Sequence, residues 1–374
     1  MTNKPLPKYL QLKREILEWL KSGRWKPDEQ MPSEHEIAQQ FGMSRQTVRQ
    51  TLGELENEGW LYRVQGKGTF VSRPPVDPPA ERTTVGMLTT YISEYIFPHI
   101  VRGAEAQLRR NGCSLLLSST DNDKSKEKEQ LMMLLEQPLR GLIIEPTKSA
   151  QGNPNLSYYL SLQYRGIPFV MINERYPELN CPCVKVNDEA GGFKAAEHVL
   201  RLGHTRVAGF FKTDDLQGVN RLKGFLRAHR RYGVPLAPER VVHYSTEEKE
   251  DKPFAAALEM LKRPDRPTAF VCYNDELAIR LLEAARQSGM SVPSDLSVVG
   301  FDDSSLATAT EVKLTTLTHP KSELGVRAAE TLLRLMERSS NSGDADTEGT
   351  AQDELVVYEP ELVVRNSTAE WKSG

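Results

Sequence analysis

The stretch at residues 32–68 constrains the fold of this chain most, because its local signals predict two short helices, a tight turn and a small β-hairpin. Ser33 precedes an apolar-periodic run, and Glu36 follows at the spacing of a capping box, so a helix is predicted to begin here. Gly42 predicts the end of that helix, since glycine adopts the left-handed conformation at little cost. Ser44 predicts the start of a second helix, whose apolar positions recur on one face.

Polar side chains occupy the outward face of this second predicted helix. They are Arg45, Gln46, Thr47 and Arg49. Arginine can donate two hydrogen bonds to guanine and glutamine can pair with adenine, so the set suits the major groove of DNA. A solvated helix face is the ordinary alternative for such residues. The capped helix and the short turn that precede them favour DNA binding.

A small hairpin is predicted directly after the two helices, with strands at residues 60–64 and 69–71. Gly66 and Gly68 allow the tight turn, and Lys67 at its tip would lie near a phosphate. Residues 4–72 closely resemble the winged helix-turn-helix of GntR-family transcription factors. The matching motifs include Ile37-Ala38-x-x-Phe41-Gly42, Ser44-Arg45-x-Thr47-Val48-Arg49 and Gly66-x-Gly68-Thr69-Phe70-Val71. The resemblance implies DNA contacts by Lys4, Ser33, Glu34, Ser44, Arg45, Gln46, Thr47, Arg49, Gln65, Gly66 and Lys67.

Composition sets the outer limits of the interpretation. A chain of 374 residues is too long for one ordinary domain. Residues 1–72 hold 11 Lys and Arg against 9 Asp and Glu, so DNA binding is inferred from where charges lie and not from bulk basicity. The charged, helical start is unlike a signal peptide, and the four cysteines are expected to be reduced thiols in a cytoplasmic protein. Neither a metal nor a cofactor is predicted.

The region after residue 72 divides into a linker and a large α/β domain. Residues 73–83 are rich in proline and predict an extended linker. Residues 84–374 alternate short apolar runs with longer helical stretches, which is typical of a parallel sheet covered by helices. About 290 residues is large for one sheet, so two lobes with a cleft are expected. Residues 339–353 predict a flexible loop, and the strands at 355–357 and 361–364 are expected to join the second lobe.

Ligands of open parallel sheets bind beyond the carboxyl ends of the strands. Polar and aromatic residues follow several predicted strands, namely Tyr95, Phe97, His99, Glu145, Asn173, Arg175, Asn274, Asp275 and Asp302. Carboxylates, amides and arginine bracket the hydroxyls of a sugar, while aromatic rings cover its C–H face. Asn and Asp are also common turn residues, so the convergence of several such positions carries the prediction.

Residues 84–366 resemble the effector-binding domain of LacI/GalR repressors, itself similar to periplasmic sugar-binding proteins. The motifs are Asn187-Asp188-x-x-Gly191-Gly192, Arg221-Leu222-x-Gly224-Phe225, Asn274-Asp275-x-x-Ala278 and Pro293-x-Asp295-Leu296-Ser297-Val298-Val299-Gly300-Phe301-Asp302-Asp303. The resemblance implies that Arg221, Asn274 and Asp302 hold sugar hydroxyls. Asn173 stands where the family often has Asp, and His319 stands where Gln or Asp is frequent. Both residues are candidate contacts, and these departures leave the identity of the sugar open.

A GntR-type head on a LacI-type body is similar to arabinose-responsive repressors of Gram-positive bacteria, which implies L-arabinose as the effector. The residues alone indicate only a small neutral sugar or polyol, since Glu145 in the cleft would repel a phosphate. The expected protein is a homodimeric repressor of two-fold operators, with double-stranded DNA and a sugar as partners. A regulator fused to an enzyme-like domain is the alternative, although the chain has no phosphate-binding loop motif. Activation or repression in response to another sugar also stays open.

Overall fold

A computed structural model describes residues 8–21, 24–64, 66–72, 83–93, 95–341 and 354–371. The chain separates into two compact units, Met1–Arg82 and Thr83–Gly374. The predicted linker at 73–83, apart from Thr83, lies outside the described residues, as do the predicted contacts Lys4 and Gln65 and most of the predicted loop at 339–353. None of the described helices is long and apolar enough to cross a membrane.

The first unit is a three-helix domain with a hairpin. Its elements are α1 (Lys8–Lys21), α2 (Glu34–Phe41), α3 (Arg45–Asn57), β1 (Leu61–Val64) and β2 (Gly68–Val71). The two strands pair antiparallel, with Leu61 opposite Val71. Ser33 caps α2 in a complete capping box with Glu36, and Gly42 ends that helix at a φ of 59°. The local signals read from the sequence are therefore confirmed in this unit.

One small apolar core holds the three helices and the hairpin together. Leu12 and Ile16 of α1 and Val48 and Leu55 of α3 are fully buried in it. Removing side chains of this kind from water is worth about 1.5–3 kcal/mol each. The spacing of Val48 and Leu55 places both on the inner side of α3, whereas Arg45, Gln46 and Arg49 are exposed on its outer side.

The second unit alternates strands and helices along the chain. The strands are β3 (Thr84–Thr89), β4 (Ser114–Ser119), β5 (Leu139–Ile144), β6 (Phe169–Ile172), β7 (Cys183–Val186), β8 (Val207–Lys212), β9 (Val241–Tyr244), β10 (Ala269–Cys272), β11 (Ser297–Val299), β12 (Thr316–Leu317), β13 (Leu355–Tyr358) and β14 (Leu362–Val363). The helices are α4 (Phe97–Arg110), α5 (Lys124–Leu135), α6 (Leu156–Tyr164), α7 (Asp188–Arg201), α8 (Leu216–Tyr232), α9 (Lys252–Leu261), α10 (Asp275–Gln287), α11 (Leu306–Ala309) and α12 (Lys321–Asn341), with a 3-10 turn at Pro238–Arg240.

Two parallel sheets define two lobes within this unit. Within the described residues, the first lobe has six strands in the order β13-β7-β6-β5-β3-β4, and the second has four in the order β11-β10-β8-β9. In the first sheet Met87 lies opposite both Leu117 and Ile143, so the register places apolar residues side by side. Apolar clusters cover both faces of each sheet, which is why the strands read as continuous apolar runs.

The chain passes between the lobes three times within the described residues, after β7, after β12 and after β13. The strand predicted at 355–357 was expected in the second lobe, and this expectation was wrong. It is β13, which pairs parallel with β7 at the edge of the first sheet, with Leu355 opposite Cys183. An apolar run identifies a strand but not its neighbour, because pairing depends on residues far away in the chain. The run at 361–364 contains β14, which pairs with β12.

Glycines allow close helix contacts in both lobes. A Cβ atom on Gly103 of α4 would lie 2.1 Å from the carbonyl oxygen of Ser322, in the first turn of α12. A Cβ atom on Gly192 of α7 would lie 2.0 Å from the carbonyl oxygen of Arg221 on α8. Real Cβ atoms do not approach so closely, so larger residues would force the helices apart. The contact between α7 and α8 therefore fixes where the side chain of Arg221 begins.

Candidate functional site

Helix α3 presents the polar face predicted from the sequence. Arg45, Gln46 and Arg49 are exposed, whereas Val48 is fully buried. Thr47 is half-buried, and its hydroxyl lies 2.8 Å from the hydroxyl of Ser44. Of the four predicted contacts on α3, three side chains are therefore exposed, while that of Thr47 is partly engaged at the start of the helix.

Ser33 and Ser44 begin the two helices. The Ser33 hydroxyl accepts a hydrogen bond from the Glu36 amide at 3.3 Å, and the Ser44 hydroxyl accepts one from the Thr47 amide at 3.2 Å. Each therefore satisfies a backbone amide that the helix itself leaves unpaired. Their side chains are engaged in capping, and what they offer to a phosphate is the position of a helix N-terminus.

Glu34 is paired to two arginines of the same unit. Its carboxylate accepts hydrogen bonds from Nε of Arg49 at 3.1 Å and from Nη2 of Arg49 at 2.9 Å. Nη2 of Arg63 lies 3.7 Å from the same carboxylate. The hydrogen bonds from Arg49 hold the pKa of Glu34 below its usual range, although partial burial opposes this. Arg63 was not among the predicted contacts, because nothing in the hairpin pattern indicates its direction.

The hairpin tip has the glycine geometry expected of a tight turn. Gly66 and Gly68 have φ values of 76° and 114°, a region that residues with a side chain rarely adopt. Nε2 of Gln30 donates a hydrogen bond of 2.6 Å to the backbone oxygen of Lys67, so the turn is tied to the body of the unit. The side chain of Lys67 itself is exposed.

A cavity of about 110 Å³ lies between the two lobes of the second unit. A single water molecule needs about 10–15 Å³, so the space suits a small molecule. Eight of the predicted ligand residues line it, namely Tyr95, Phe97, Glu145, Asn173, Arg221, Asn274, Asp302 and His319. They come from both lobes and from the crossover after β12, as the convergence of strand ends predicted.

Three predicted ligand residues lie elsewhere. His99 is exposed on α4 and does not line the cavity. Nη1 of Arg175 donates to the backbone oxygen of Cys181 at 3.2 Å, which occupies it outside the cavity. Asp275 is fully buried and accepts hydrogen bonds from Thr316 Oγ1 at 2.6 Å and from the Ser304 amide at 2.8 Å. Asp275 directly follows the lining residue Asn274, whereas His99 and Arg175 lie two positions beyond the lining residues Phe97 and Asn173.

Arg221 is the most firmly held residue of the cavity wall and is only 5% exposed. Nε donates to Asp188 at 2.8 Å, Nη1 donates to the Tyr273 backbone oxygen at 2.6 Å, and Nη2 lies 3.5 Å from Asp302. The guanidinium carbon is 3.6 Å from the ring centre of Phe301. Burial alone would lower the pKa of Arg221, but the carboxylates of Asp188 and Asp302 raise it above its usual range. The guanidinium is therefore charged and fixed in place.

Glu145 and Asn173 form the opposite, first-lobe wall. The Glu145 carboxylate accepts from the Thr90 amide at 2.8 Å, the Thr90 hydroxyl at 2.6 Å and Nδ2 of Asn173 at 2.6 Å. Burial raises the pKa of Glu145, and these three hydrogen bonds oppose the rise. The bond to Glu145 fixes which way the Asn173 amide faces, so its oxygen is left for another partner.

Three buried polar atoms of residues that line the cavity have no hydrogen-bond partner among the described residues: Oδ1 of Asn173, Nδ1 of His319 and Nε of Arg280. Burial lowers the pKa of His319 to about 4, so its ring is neutral at physiological pH. Tyr95, Asn173 and Asp302 have φ values of 55°, 64° and 95°, which is uncommon for residues other than glycine. Unpaired buried atoms and strained backbone are typical of binding sites.

Sequence reasoning missed part of the second-lobe wall. Nζ of Lys212 lies 3.0 Å from Asp215, and the Tyr273 hydroxyl donates to the same carboxylate at 2.9 Å. Lys212 is the last residue of β8 and Tyr273 directly follows β10, so their positions at the carboxyl ends of strands were the available signal. Asp188 was seen only as part of a motif, because its pairing with Arg221 depends on the packing of two helices.

A second set of contacts joins the lobes at the edge of the cavity, and we call them the mouth contacts. They are the ion pair Lys148–Glu247, the hydrogen bond from Asn122 Nδ2 to Thr246 Oγ1 (2.6 Å), that from the Leu216 amide to Ser149 Oγ (2.9 Å) and that from the Ala150 amide to the Asp214 oxygen (3.2 Å). Deeper in the cleft, the Tyr95 hydroxyl donates to Asp302 at 2.7 Å. The lobes are therefore joined in a closed arrangement.

A winged helix-turn-helix followed by a two-lobed domain with a polar cleft defines a class of protein, the ligand-responsive transcription regulators. Family models agree with this class. Residues 8–71 match the gntR family of bacterial regulatory proteins, and residues 196–368 match the periplasmic binding protein-like domain. The predicted fold class is thereby confirmed.

The chain belongs to the family of arabinose metabolism transcriptional repressors. It is 62% identical to the repressor of that name from Geobacillus stearothermophilus, over 99% of this chain and 100% of the relative. It is 46% identical to the one from Halalkalibacterium halodurans, over 98% of each. A LacI family regulator from Enterococcus faecium, solved with bound ribose, is 25% identical with a TM-score of 0.63, over 77% of this chain and 100% of that one. The prediction of a regulator rather than an enzyme is confirmed by these relatives.

Proposed function

We propose that this protein is a cytoplasmic, homodimeric repressor that binds two-fold operator DNA and is released from it by L-arabinose. The cavity between the lobes is the observation that carries the effector half of the proposal. The relatives named for arabinose metabolism supply the choice of pentose. The exposed face of α3 and the glycine turn of the hairpin support the DNA half.

The lining of the cavity is suited to a neutral sugar. Asn173 Oδ1 and His319 Nδ1 need partners. A hydroxyl group of a pentose can donate to the amide oxygen of Asn173, and it can donate to or accept from Nδ1 of His319, depending on the tautomer of the ring. The guanidinium of Arg221 offers hydrogen-bond donors in a fixed plane, and Phe97 and Tyr273 offer ring surface for C–H groups. A site built around hydroxyl groups leaves its own buried atoms unpaired with any ligand that lacks them.

The charges of the lining disfavour an anionic ligand. Six carboxylates line the cavity, those of Glu145, Asp188, Asp215, Glu250, Glu276 and Asp302, against the four cations Lys212, Lys249, Arg221 and Arg280. Lys212 is paired with Asp215, Arg221 with Asp188, and Arg280 and Lys249 with Glu250. Each lining cation is therefore already paired with a carboxylate and is not free to bind a phosphate. A phosphate would also lie near Glu145, which has no ion-pair partner among the described residues.

Closure of the lobes is the step that couples the sugar to DNA. The mouth contacts and the bond between Tyr95 and Asp302 exist only when the lobes are together, and a sugar held by both walls adds to them. If the closed form has the lower operator affinity, the sugar releases the DNA. Linkage then requires that operator DNA weaken sugar binding by the same factor by which the sugar weakens operator binding.

Titration calorimetry with a panel of free sugars tests the effector half. We expect heat from L-arabinose, and little or none from D-xylose, D-ribose or L-arabinose 5-phosphate. The DNA half uses a duplex enriched from a randomised library by the wild-type protein, which L-arabinose should displace. Binding of the sugar phosphate without the free sugar would contradict the proposed ligand class, and failure to enrich any duplex would contradict the DNA half.

Sedimentation of the protein with the enriched duplex tests the dimer. A two-fold site should bind two chains, because one winged helix reads only one half-site. A complex of one chain with one duplex would contradict the homodimer.

A further inference from the structure

We propose that Glu34 acts as a positioning residue for Arg49, directing that arginine to a base edge and away from the phosphate backbone. The proposal rests on the DNA binding proposed above and concerns how the same surface selects its sequence. It assigns to Glu34 a role that requires no contact with DNA. Arg49 remains the residue that touches the base.

The geometry of the pair leaves one particular edge of the guanidinium free. A guanidinium has one donor edge formed by Nε and Nη2 and another formed by Nη1 and Nη2. Glu34 occupies the first, with distances of 3.1 Å to Nε and 2.9 Å to Nη2. Among the described residues Nη1 has no acceptor, and the Arg49 side chain is 64% exposed. The free edge is the one that can fork onto O6 and N7 of a guanine.

The carboxylate of Glu34 is itself held by the fold. Glu34 is the first residue of α2, where the helix N-terminus favours a negative charge. The capping box of Ser33 and Glu36 fixes that turn, and the side chain of Glu34 is only 21% exposed. Its pKa lies below the usual range because Arg49 donates to it, so the group is ionised at neutral pH. The orienting group is therefore charged and carried by a rigid element.

This arrangement has opposite consequences for bases and for phosphates. A forked contact gains from an arginine that is already oriented, because less side-chain freedom is lost on binding. A phosphate contact has no such requirement, and a carboxylate beside the arginine repels the phosphate. Glu34 should therefore strengthen binding to the preferred sequence while weakening binding to other sequences.

Two other roles for Glu34 lead to different results. In the first, the carboxylate accepts a hydrogen bond directly from a cytosine, a contact to which glutamate is suited. In the second, it only joins α2 to α3 as a surface ion pair, which is worth about 1 kcal/mol or less. The first role does not depend on Arg49, and the second does not alter base preference.

The experiment measures binding of the full chain to two duplexes at low salt, where weak binding stays measurable. One duplex is that enriched from a randomised library by the wild-type protein, and the other is a scrambled version of the same composition. The variants are Glu34→Gln, Arg49→Ala and the double substitution, which together form a double-mutant cycle. Glu56→Gln is the matched control. Like Glu34, Glu56 pairs with Arg63, at a distance of 3.3 Å, and its replacement by glutamine also removes one negative charge.

Glu34→Gln should weaken binding to the enriched duplex roughly tenfold, within the range for loss of one forked base contact. Its binding to the scrambled duplex should be unchanged or tighter. In the Arg49→Ala background, Glu34→Gln should change binding to the enriched duplex less than twofold. A library selected again with Glu34→Gln should show a relaxed preference at one guanine position, whereas Glu56→Gln should keep the preference. Unchanged thermal unfolding checks that each variant is folded.

Three results would overturn the proposal. If Glu34→Gln tightens binding to both duplexes, the carboxylate only repels DNA. If its effect persists in the Arg49→Ala background, Glu34 contacts DNA itself. If Glu56→Gln relaxes the base preference equally, the effect comes from the loss of a negative charge and not from the position of Glu34 beside Arg49. Failure of the wild-type protein to enrich any duplex would instead contradict the proposed function, and this proposal with it.

Discussion

Replacing Arg221 with alanine should destabilise the effector unit strongly, in addition to any effect on sugar binding. Its guanidinium pairs with Asp188 at 2.8 Å and lies 3.5 Å from Asp302, and both carboxylates are buried. Among the described residues, Arg221 is the only hydrogen-bond donor to the Asp188 side chain, whereas the Asp302 side chain also accepts a hydrogen bond from the Tyr95 hydroxyl. Arg221→Ala therefore leaves one buried carboxylate without any partner and a second with one donor fewer.

Breaking a buried ion pair by removing one partner costs about 3–5 kcal/mol. For a unit of this size, each kcal/mol lowers the melting temperature by about 2 °C, so a decrease of about 6–10 °C is expected. Neutralising the abandoned carboxylate with Asp188→Asn in the same chain should recover about half of that loss, because less charge then stays buried.

Thermal unfolding followed by circular dichroism measures the effect. Arg227→Ala is the matched control, because Arg227 is on the same helix and pairs with Glu189 at the surface, with 49% of its side chain exposed. Surface pairs of this kind are worth about 1 kcal/mol or less, so the control should melt within about 2 °C of the wild type. A melting temperature of Arg221→Ala equal to that of Arg227→Ala would refute the reasoning, as would a double substitution less stable than Arg221→Ala alone.

Two further predictions concern the cleft. Lys148→Met removes the ion pair with Glu247, which forms only across closed lobes. Partly exposed pairs contribute about 0.2–1 kcal/mol, so the affinity for L-arabinose measured by calorimetry should fall two- to fivefold. Lys126→Met, which removes a pair within one lobe, should leave the affinity unchanged, and an equal loss in both variants would contradict the role of the mouth contacts. Because burial lowers the pKa of His319 to about 4, the folded state binds fewer protons than the unfolded state, so wild-type stability should fall as the pH decreases from 6.5 to 4. His319→Gln should reduce this dependence in melting temperatures measured across that range, and an unchanged slope would show that His319 does not cause it.

The first unit was predictable from the sequence because its signals are local. Ser33 and Glu36 are three residues apart, and Gly42 ends the helix they begin, so the capping box and the turn can be read from a short window. The pairing of Glu34 with Arg49 was not predictable in the same way. It joins two helices across the turn, and its geometry depends on how they pack.

The second unit was predicted in class but not in detail. Strands β7, β9 and β12 were missed: Lys185 interrupts the apolar run of β7, His243 interrupts that of β9, and β12 has only two residues. Eight of the 25 residues that line the cleft were predicted, most of them because they follow strands. Asp188 and Lys212 were missed, since their roles depend on partners distant in the sequence, Arg221 in one case and Asp215 in the other.

The three passages of the chain between the lobes affect the order in which the protein can fold during synthesis. Residues 354–371 supply β13 to the first sheet, and Ser367 donates a hydrogen bond of 2.6 Å to Val298 in the second lobe. Neither lobe can therefore be completed until this segment, which follows residue 353, has left the ribosome. The first unit is built from residues 8–72 alone and can fold while the rest is still being translated. A nascent chain would thus present its helix-turn-helix before it could sense a sugar.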